Sequence, residues 1–198
     1  MKTIRLLPLA AVTMLAAACA DTATEPAAAP AGPSSVVGAA PACVTFGPNP
    51  PAWTVWGAPA GHVPGSLVHV ENSIAVTVDP FNAPGGPFFN QARLEPAAVI
   101  GWGTLNSLHL TNISTTYHFM AAGGWVPNNI RFLYRDLGAI ENLAINGALY
   151  VGDITGAPAV LGGASVFVGT GVVSITGPVN RLTIGGQDFR VENVCAAP

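Results

Sequence analysis

Lysine is all but missing from this chain: Lys2 is the only one in 198 residues. Charged residues of all kinds make up 9%, against about a quarter in ordinary globular domains. Beyond the first twenty positions, five arginines face ten carboxylates, leaving a net charge of −5. Nucleic-acid binding needs a basic footprint to neutralise phosphates, and none is present. The scarcity of Glu, Lys and Arg excludes a coiled coil or long-helix protein. Intrinsic disorder is excluded too, because 50% of residues are hydrophobic and disorder requires low hydrophobicity with high net charge. After the N-terminal segment no run approaches 18 apolar residues, so no further helical membrane span is predicted. Also lacking are a Gly-x-Ser-x-Gly nucleophile elbow, a His-x-x-x-His pair, an EF-hand loop and a repeat of fixed period.

What is present begins with an export signal over residues 1–18. Lys2 and Arg5 give a positive start, and residues 6–18 are apolar apart from Thr13 and a break at Pro8. Such a run is too short to span a bilayer. Leu15-Ala16-Ala17-Ala18-Cys19 resembles a bacterial lipobox, with Ala16 where leucine is usual. That resemblance implies lipidation of Cys19; ordinary cleavage after Ala20 is the competing outcome. Residues 20–42 hold nine alanines and four prolines and no aromatic, the composition of an extended spacer. Residues 19–42 therefore form a lipidated cysteine and tether, and residues 43–198 one domain. The expected location is extracytoplasmic, on a membrane through the lipid anchor alone, with a secreted or periplasmic protein as the alternative.

Only three cysteines occur. With Cys19 at the lipid, Cys43 and Cys195 remain at the two ends of the domain, and an oxidising compartment makes their pairing the default. Between them strand-like alternation recurs, bounded by Gly, Pro and Asn. Residues 67–71, 74–78, 107–110, 115–120, 130–134, 148–151, 165–168, 172–175, 181–184 and 188–194 all show it. The best helical window, residues 92–100, is interrupted by Pro96. Many short strands without helices predict an all-β, antiparallel two-sheet sandwich, jelly-roll-like, with ends brought together by the disulfide. An outer-membrane barrel is the alternative for so apolar a chain, but it fits poorly with a lipobox and tether.

Two segments, Asp136-Leu137-Gly138-Ala139-Ile140-Glu141-Asn142-Leu143-Ala144-Ile145-Asn146-Gly147 and Ile184-Gly185-Gly186-Gln187-Asp188-Phe189-Arg190-Val191-Glu192-Asn193-Val194-Cys195, carry a resemblance. Together they resemble secreted bacterial β-sandwich domains of unassigned function. Ala139 stands where those domains have a second glycine, and Glu192 where aspartate is more usual. The resemblance implies fold and compartment, and no activity.

Oxygen donors at Asp136, Glu141 and Glu192 could hold a structural calcium ion, the chemistry a hard cation prefers. Asn142 and Asn146 could bond a ligand; alternatively these residues cap turns locally. Gly162-Gly163 and Gly185-Gly186 read as turns. His109 and His118 alternate with apolar neighbours and point away from the core side of their strands, which favours polar surface positions over zinc. Trp102 and Trp125 lie in glycine-flanked, loop-like contexts, where an indole can stack on a sugar or fold over a sheet edge. The expected function is a non-catalytic binding module on a lipoprotein, for a glycan or cell-envelope polymer, acting as a monomer. A structural or adhesive surface protein that binds other proteins is the second expectation, and a carboxylate-dependent hydrolase the third.

Overall fold

The computed structural model describes residues 40–47, 50–96, 106–119, 126–138 and 140–198. The residues expected to form the export signal, Cys19, nearly all of the expected tether, Trp102 and Trp125 lie outside the described residues. The described residues fold as an all-β protein without an α-helix; single turns of 3-10 helix occur at Ala58–Ala60 and Ile154–Gly156. No helix among them is long and apolar enough to cross a membrane.

Every strand pair is antiparallel. One sheet contains β1 (Ala42–Val44), β2 (Val55–Gly57), β7 (Gln91–Glu95), β8 (Ser107–Thr111), β10 (Asn129–Asp136), β13 (Val160–Leu161), β14 (Ala164–Gly169), β15 (Val172–Thr176) and β17 (Phe189–Ala197). The second contains β3 (Ser66–Glu71), β4 (Ile74–Asp79), β9 (Ile113–Phe119), β11 (Glu141–Ile145), β12 (Ala148–Gly152) and β16 (Arg181–Gly186). A small hairpin of β5 (Phe81–Ala83) and β6 (Gly86–Phe88) stands beside them.

The order β8-β17-β10-β15 in one sheet and β9-β16-β11-β12 in the other is jelly-roll topology. Successive strands of these eight change sheet at every step but β11 to β12, so each sheet interleaves early and late strands. β7 and β2 widen the first sheet, β4 and β3 the second, and the β13–β14 hairpin adds a further edge.

Period-two alternation drives the packing. In β10, Ile130, Phe132 and Tyr134 are buried while Arg131 and Arg135 are exposed; in β9, Ile113, Thr115 and Tyr117 face the core. One continuous apolar cluster joins the inner faces of both sheets, the arrangement that buries the hydrophobic side of each strand. Two-residue turns set the registers. Asn72-Ser73 links β3 to β4 and Asn146-Gly147 links β11 to β12, all four at positive φ, as tight hairpins with matching twist require.

Cys43 and Cys195 are register partners in the β1–β17 pair, joined by a disulfide with Cα atoms 3.9 Å apart and a sequence separation of 152. The chain entry is fixed a second way. Glu71 accepts hydrogen bonds from the Thr45 amide (3.0 Å) and hydroxyl (2.6 Å) and from the Phe46 amide (3.2 Å), and pairs with His69 (3.1 Å). Burial works against the charge on Glu71, but these bonds outweigh it and hold its carboxyl below the usual range.

Three stretches differ from their reading in the sequence. Residues 92–95, in the best helical window, belong to strand β7, with Ala92 and Leu94 inward. Glu141–Ile145, read as a polar and turn-forming segment, is strand β11. Gly185-Gly186 ends strand β16 instead of making a turn. A Cβ on Gly185 would lie 2.2 Å from Ser114 Oγ, and one on Gly186 2.3 Å from Phe189 Cβ, so glycine serves close strand packing here. Gly162-Gly163 is a turn, joining β13 to β14.

Candidate functional site

The outer face of the nine-stranded sheet carries an ordered row of charge. Arg93 on β7, His109 on β8, Arg190 on β17 and Arg135 on β10 are successive register partners across four neighbouring strands. With Arg131 on the same outward side of β10, four of the five arginines beyond the first twenty residues lie on this face. Glu95 sits at the centre, 3% exposed. It accepts from Arg190 Nε (3.1 Å) and Nη2 (2.7 Å), from Arg93 Nε (3.1 Å) and Nη2, and faces His109 Nδ1 at 3.1 Å. Burial would raise its carboxyl pKa, yet the bonds from Arg93, Arg190 and His109 win and hold it at about 2. His109 Nε2 also lies 2.5 Å from Asp188 Oδ1, so the ring stands between two carboxylates.

At the edge of this row the Arg93 guanidinium lies over the Trp53 ring, 5.4 Å from its centroid. Trp53 is 50% exposed. Its amide donates to Leu94 O (2.7 Å) and its φ is 69°, a left-handed conformation costly for an aromatic residue and held here by the neighbouring strand. Trp56, three residues on, is buried against Phe46 and His69. The result is a half-exposed apolar plane beside an arginine held by hydrogen bonds to Glu95.

A second cluster lies at one end of the sandwich. Asp136 closes β10, Glu141 opens β11, and Asp153 follows β12; one carboxylate oxygen from each lies within 4.8 Å of the others. Asp136 Oδ1 accepts from the Gly138 amide (2.7 Å). Asp153 Oδ1 accepts from the Thr155 amide (2.7 Å) and hydroxyl (2.6 Å), capping the short 3-10 turn. Glu141 is fully buried; its Oε2 accepts from the Ile154 amide at 2.9 Å, while its Oε1 has no hydrogen-bond partner. Burial, then the charges of Asp136 and Asp153, push its carboxyl up to about 7 against the Ile154 bond. Of the residues singled out for calcium, Asp136 and Glu141 thus meet. Glu192 is register partner to Leu133 along the β10–β17 ladder, outside this cluster.

Asn142 and Asn146 spend their side-chain bonds on the protein itself. Asn142 Oδ1 accepts from the Asn82 amide (2.6 Å) and its Nδ2 donates to Asn82 O (2.7 Å), tying the β5–β6 hairpin to β11. Asn146 donates to Gly162 O and Pro178 O and accepts from the Asn180 amide (3.0, 2.9 and 2.8 Å). Near Asn142, a groove of about 420 Å³ on the outer face of the six-stranded sheet is lined by Thr77, Asp79, Thr116, His118, Arg181 and Thr183, among others. Its polar groups bond mainly to each other: Thr77 Oγ1 donates to Asp79 (3.0 Å) and meets His118 Nε2 (3.1 Å), and Thr116 meets Thr183 (2.9 Å). Burial and Arg181 push the His118 pKa down, with Asp79 opposing. Both His109 and His118 face away from the core, as their alternation predicts, and no histidine joins a metal-type cluster among the described residues.

The row of Arg93, Glu95 and Arg190 carries no local signal in the sequence, whereas Trp53 and Asp153 do. Trp53 follows Pro50-Pro51, a loop signal as good as that around Trp102 or Trp125. Asp153-Ile154-Thr155 has the spacing of a capping aspartate, a cue to a fixed carboxylate. Compared with known protein families, curated proteins and solved structures, the chain gives no match.

Proposed function

We propose that this protein is a non-catalytic binding domain, exported and held outside the cytoplasm by a lipid on Cys19, whose ligand is a glycan or cell-envelope polymer. The carrying observation is the half-exposed indole of Trp53 set against the Arg93–Glu95–His109–Arg190 row. An apolar plane takes the C–H face of a sugar ring, while the half-exposed Arg93 guanidinium and the exposed Asp188 carboxylate take its hydroxyls. Because Glu95 orients both arginines in advance, little side-chain entropy is lost on binding. The positive row favours acidic sugars over neutral ones. Trp102 and Trp125 remain candidates for further stacking positions, and the Cys43–Cys195 disulfide agrees with an oxidising compartment.

A binding role is preferred to hydrolysis on geometric grounds. A carboxylate pair must flank the bond it cleaves, but Glu141 is fully buried and is not among the residues lining the neighbouring 660 Å³ cleft, which include Asp136 and Thr155. In the groove on the other sheet, the Thr77 hydroxyl lies between Asp79 and His118; a hydrolytic triad needs the imidazole between acid and hydroxyl. A protein-binding surface is the second reading. It is favoured by exposed apolar residues on both edge strands of the six-stranded sheet: Leu67 and Val70 on β3, Leu149 and Val151 on β12.

Affinity electrophoresis through gels containing neutral or acidic polysaccharides tests the proposal. The expected result is retardation by at least one acidic glycan, lost in Trp53→Ala and weakened at least tenfold in Arg93→Gln. Retardation by no glycan, or retardation unchanged in Trp53→Ala, would overturn it.

A further inference from the structure

We propose that Asp136, Glu141 and Asp153 hold a calcium ion at the end of the sandwich where the chain crosses from one sheet to the other. The three carboxylates come from three segments: the last residue of β10, the first of β11 and the turn after β12. β10 belongs to the nine-stranded sheet and β11 and β12 to the six-stranded one, so a bound ion would tie the two sheets at this end.

Two independent observations point to a cation. Oxygens from all three side chains lie within 4.8 Å of one another, and no ion pair with arginine or histidine includes any of the three among the described residues. The second is the state of Glu141. It is fully buried, one of its oxygens belongs to the cluster, its Oε2 takes the Ile154 amide, and its Oε1 has no hydrogen-bond partner. An orphaned carboxylate oxygen in the interior is expensive, and a hard cation removes that cost.

Coordination habit selects the ion. Calcium accepts irregular shells of six to eight oxygens, whereas magnesium demands near-ideal octahedral geometry and keeps most of its water. Three carboxylates from separate segments with water completing the shell suit calcium. The cluster's two outer members are already oriented, Asp136 by the Gly138 amide and Asp153 by Thr155, and both are exposed, which leaves a route for the ion and room for water to complete the shell. Tyr150 donates to the backbone oxygen of Asp153 at 2.8 Å and supplies a reporter beside the site.

The test is terbium luminescence sensitised by tyrosine in the purified full chain, with calcium and magnesium as competitors, and thermal melts in calcium or chelator. Expected are saturable terbium emission, displacement by calcium at about 1 mM or below with magnesium at least tenfold weaker, and a melting temperature that rises with calcium. Asp153→Asn, at an exposed position, and Asp136→Asn each weaken binding at least tenfold while the apo protein still melts cooperatively. No emission and no calcium effect on melting would overturn the proposal. So would binding unchanged in both variants, which would place the ion elsewhere, or equal competition by magnesium, which would remove the claim for calcium.

Discussion

Glu95 shows how much one side chain can organise. Two arginines and a histidine converge on a carboxylate that is 3% exposed. Breaking a buried ion pair on one side leaves unmatched charge, so Glu95→Gln is expected to cost about 3 kcal/mol in chemical denaturation. The pH dependence has a definite sign. The folded-state pKa, about 2, lies below the ordinary 4.5, so the contribution is complete above pH 4.5 and is lost as pH falls from there towards 2. That amounts to about 3 kcal/mol. Acid titration of unfolding free energy should show a shallower decline over this window in Glu95→Gln than in the wild type. At Gly162 the constraint is steric. Its φ is 57° and a Cβ would lie 2.0 Å from the backbone oxygen of Ile145, so Gly162→Ala should destabilise by about 2 kcal/mol or more, measured in the same way.

At the scale of elements, legibility in the sequence followed alternation. The strands read from period-two patterns, such as residues 74–78 and 172–175, correspond to β4 and β15 to within a residue. β11 was hidden because its inward positions begin with Glu141 and its outward ones with Asn142, so apolar alternation covers only Leu143 and Ile145. β7 was hidden by the helix-forming residues Gln91, Ala92, Leu94 and Glu95, whose propensity yields to pairing with β8. The candidate site was legible only in parts. His109 was seen to face outward, but Arg93, Glu95 and Arg190 come from strands far apart in sequence, and no local pattern announces that they meet. Asp136 and Glu141 are close in sequence and were found; Asp153 reaches them only through the β11–β12 hairpin. The β5–β6 hairpin is held by the buried Phe81 and by the Asn142 side chain. Asn142→Ala removes both bonds to Asn82 and should cost about 2 kcal/mol, with faster hydrogen exchange at the Asn82 amide and little change in the core of β9 and β16.

For the whole molecule, the disulfide and the Glu71 clamp act at the same place. β1 is three residues long, too short to hold its position by pairing alone, and it is fixed to β17 by Cys43–Cys195 and at its end to β3 through Thr45, Phe46 and Glu71. A covalent link across a sequence separation of 152 restricts the unfolded chain strongly, and its removal in Cys43→Ser/Cys195→Ser is expected to cost about 2–5 kcal/mol. Thermal melts should drop accordingly, with the jelly-roll core still folding. The two outer faces differ in kind: one carries four arginines and the half-exposed Trp53, the other a groove whose hydroxyls bond largely to each other. That asymmetry is the reason the binding surface is proposed on the nine-stranded sheet.

The most direct test of that placement is a map of backbone amide chemical shifts during titration with soluble acidic glycans. Saturable shifts are predicted in a band across β2, β7, β8 and β17, centred on Trp53, Arg93, His109 and Arg190 and abolished in Trp53→Ala. Shifts confined to the six-stranded sheet, or none with any glycan, would contradict the account.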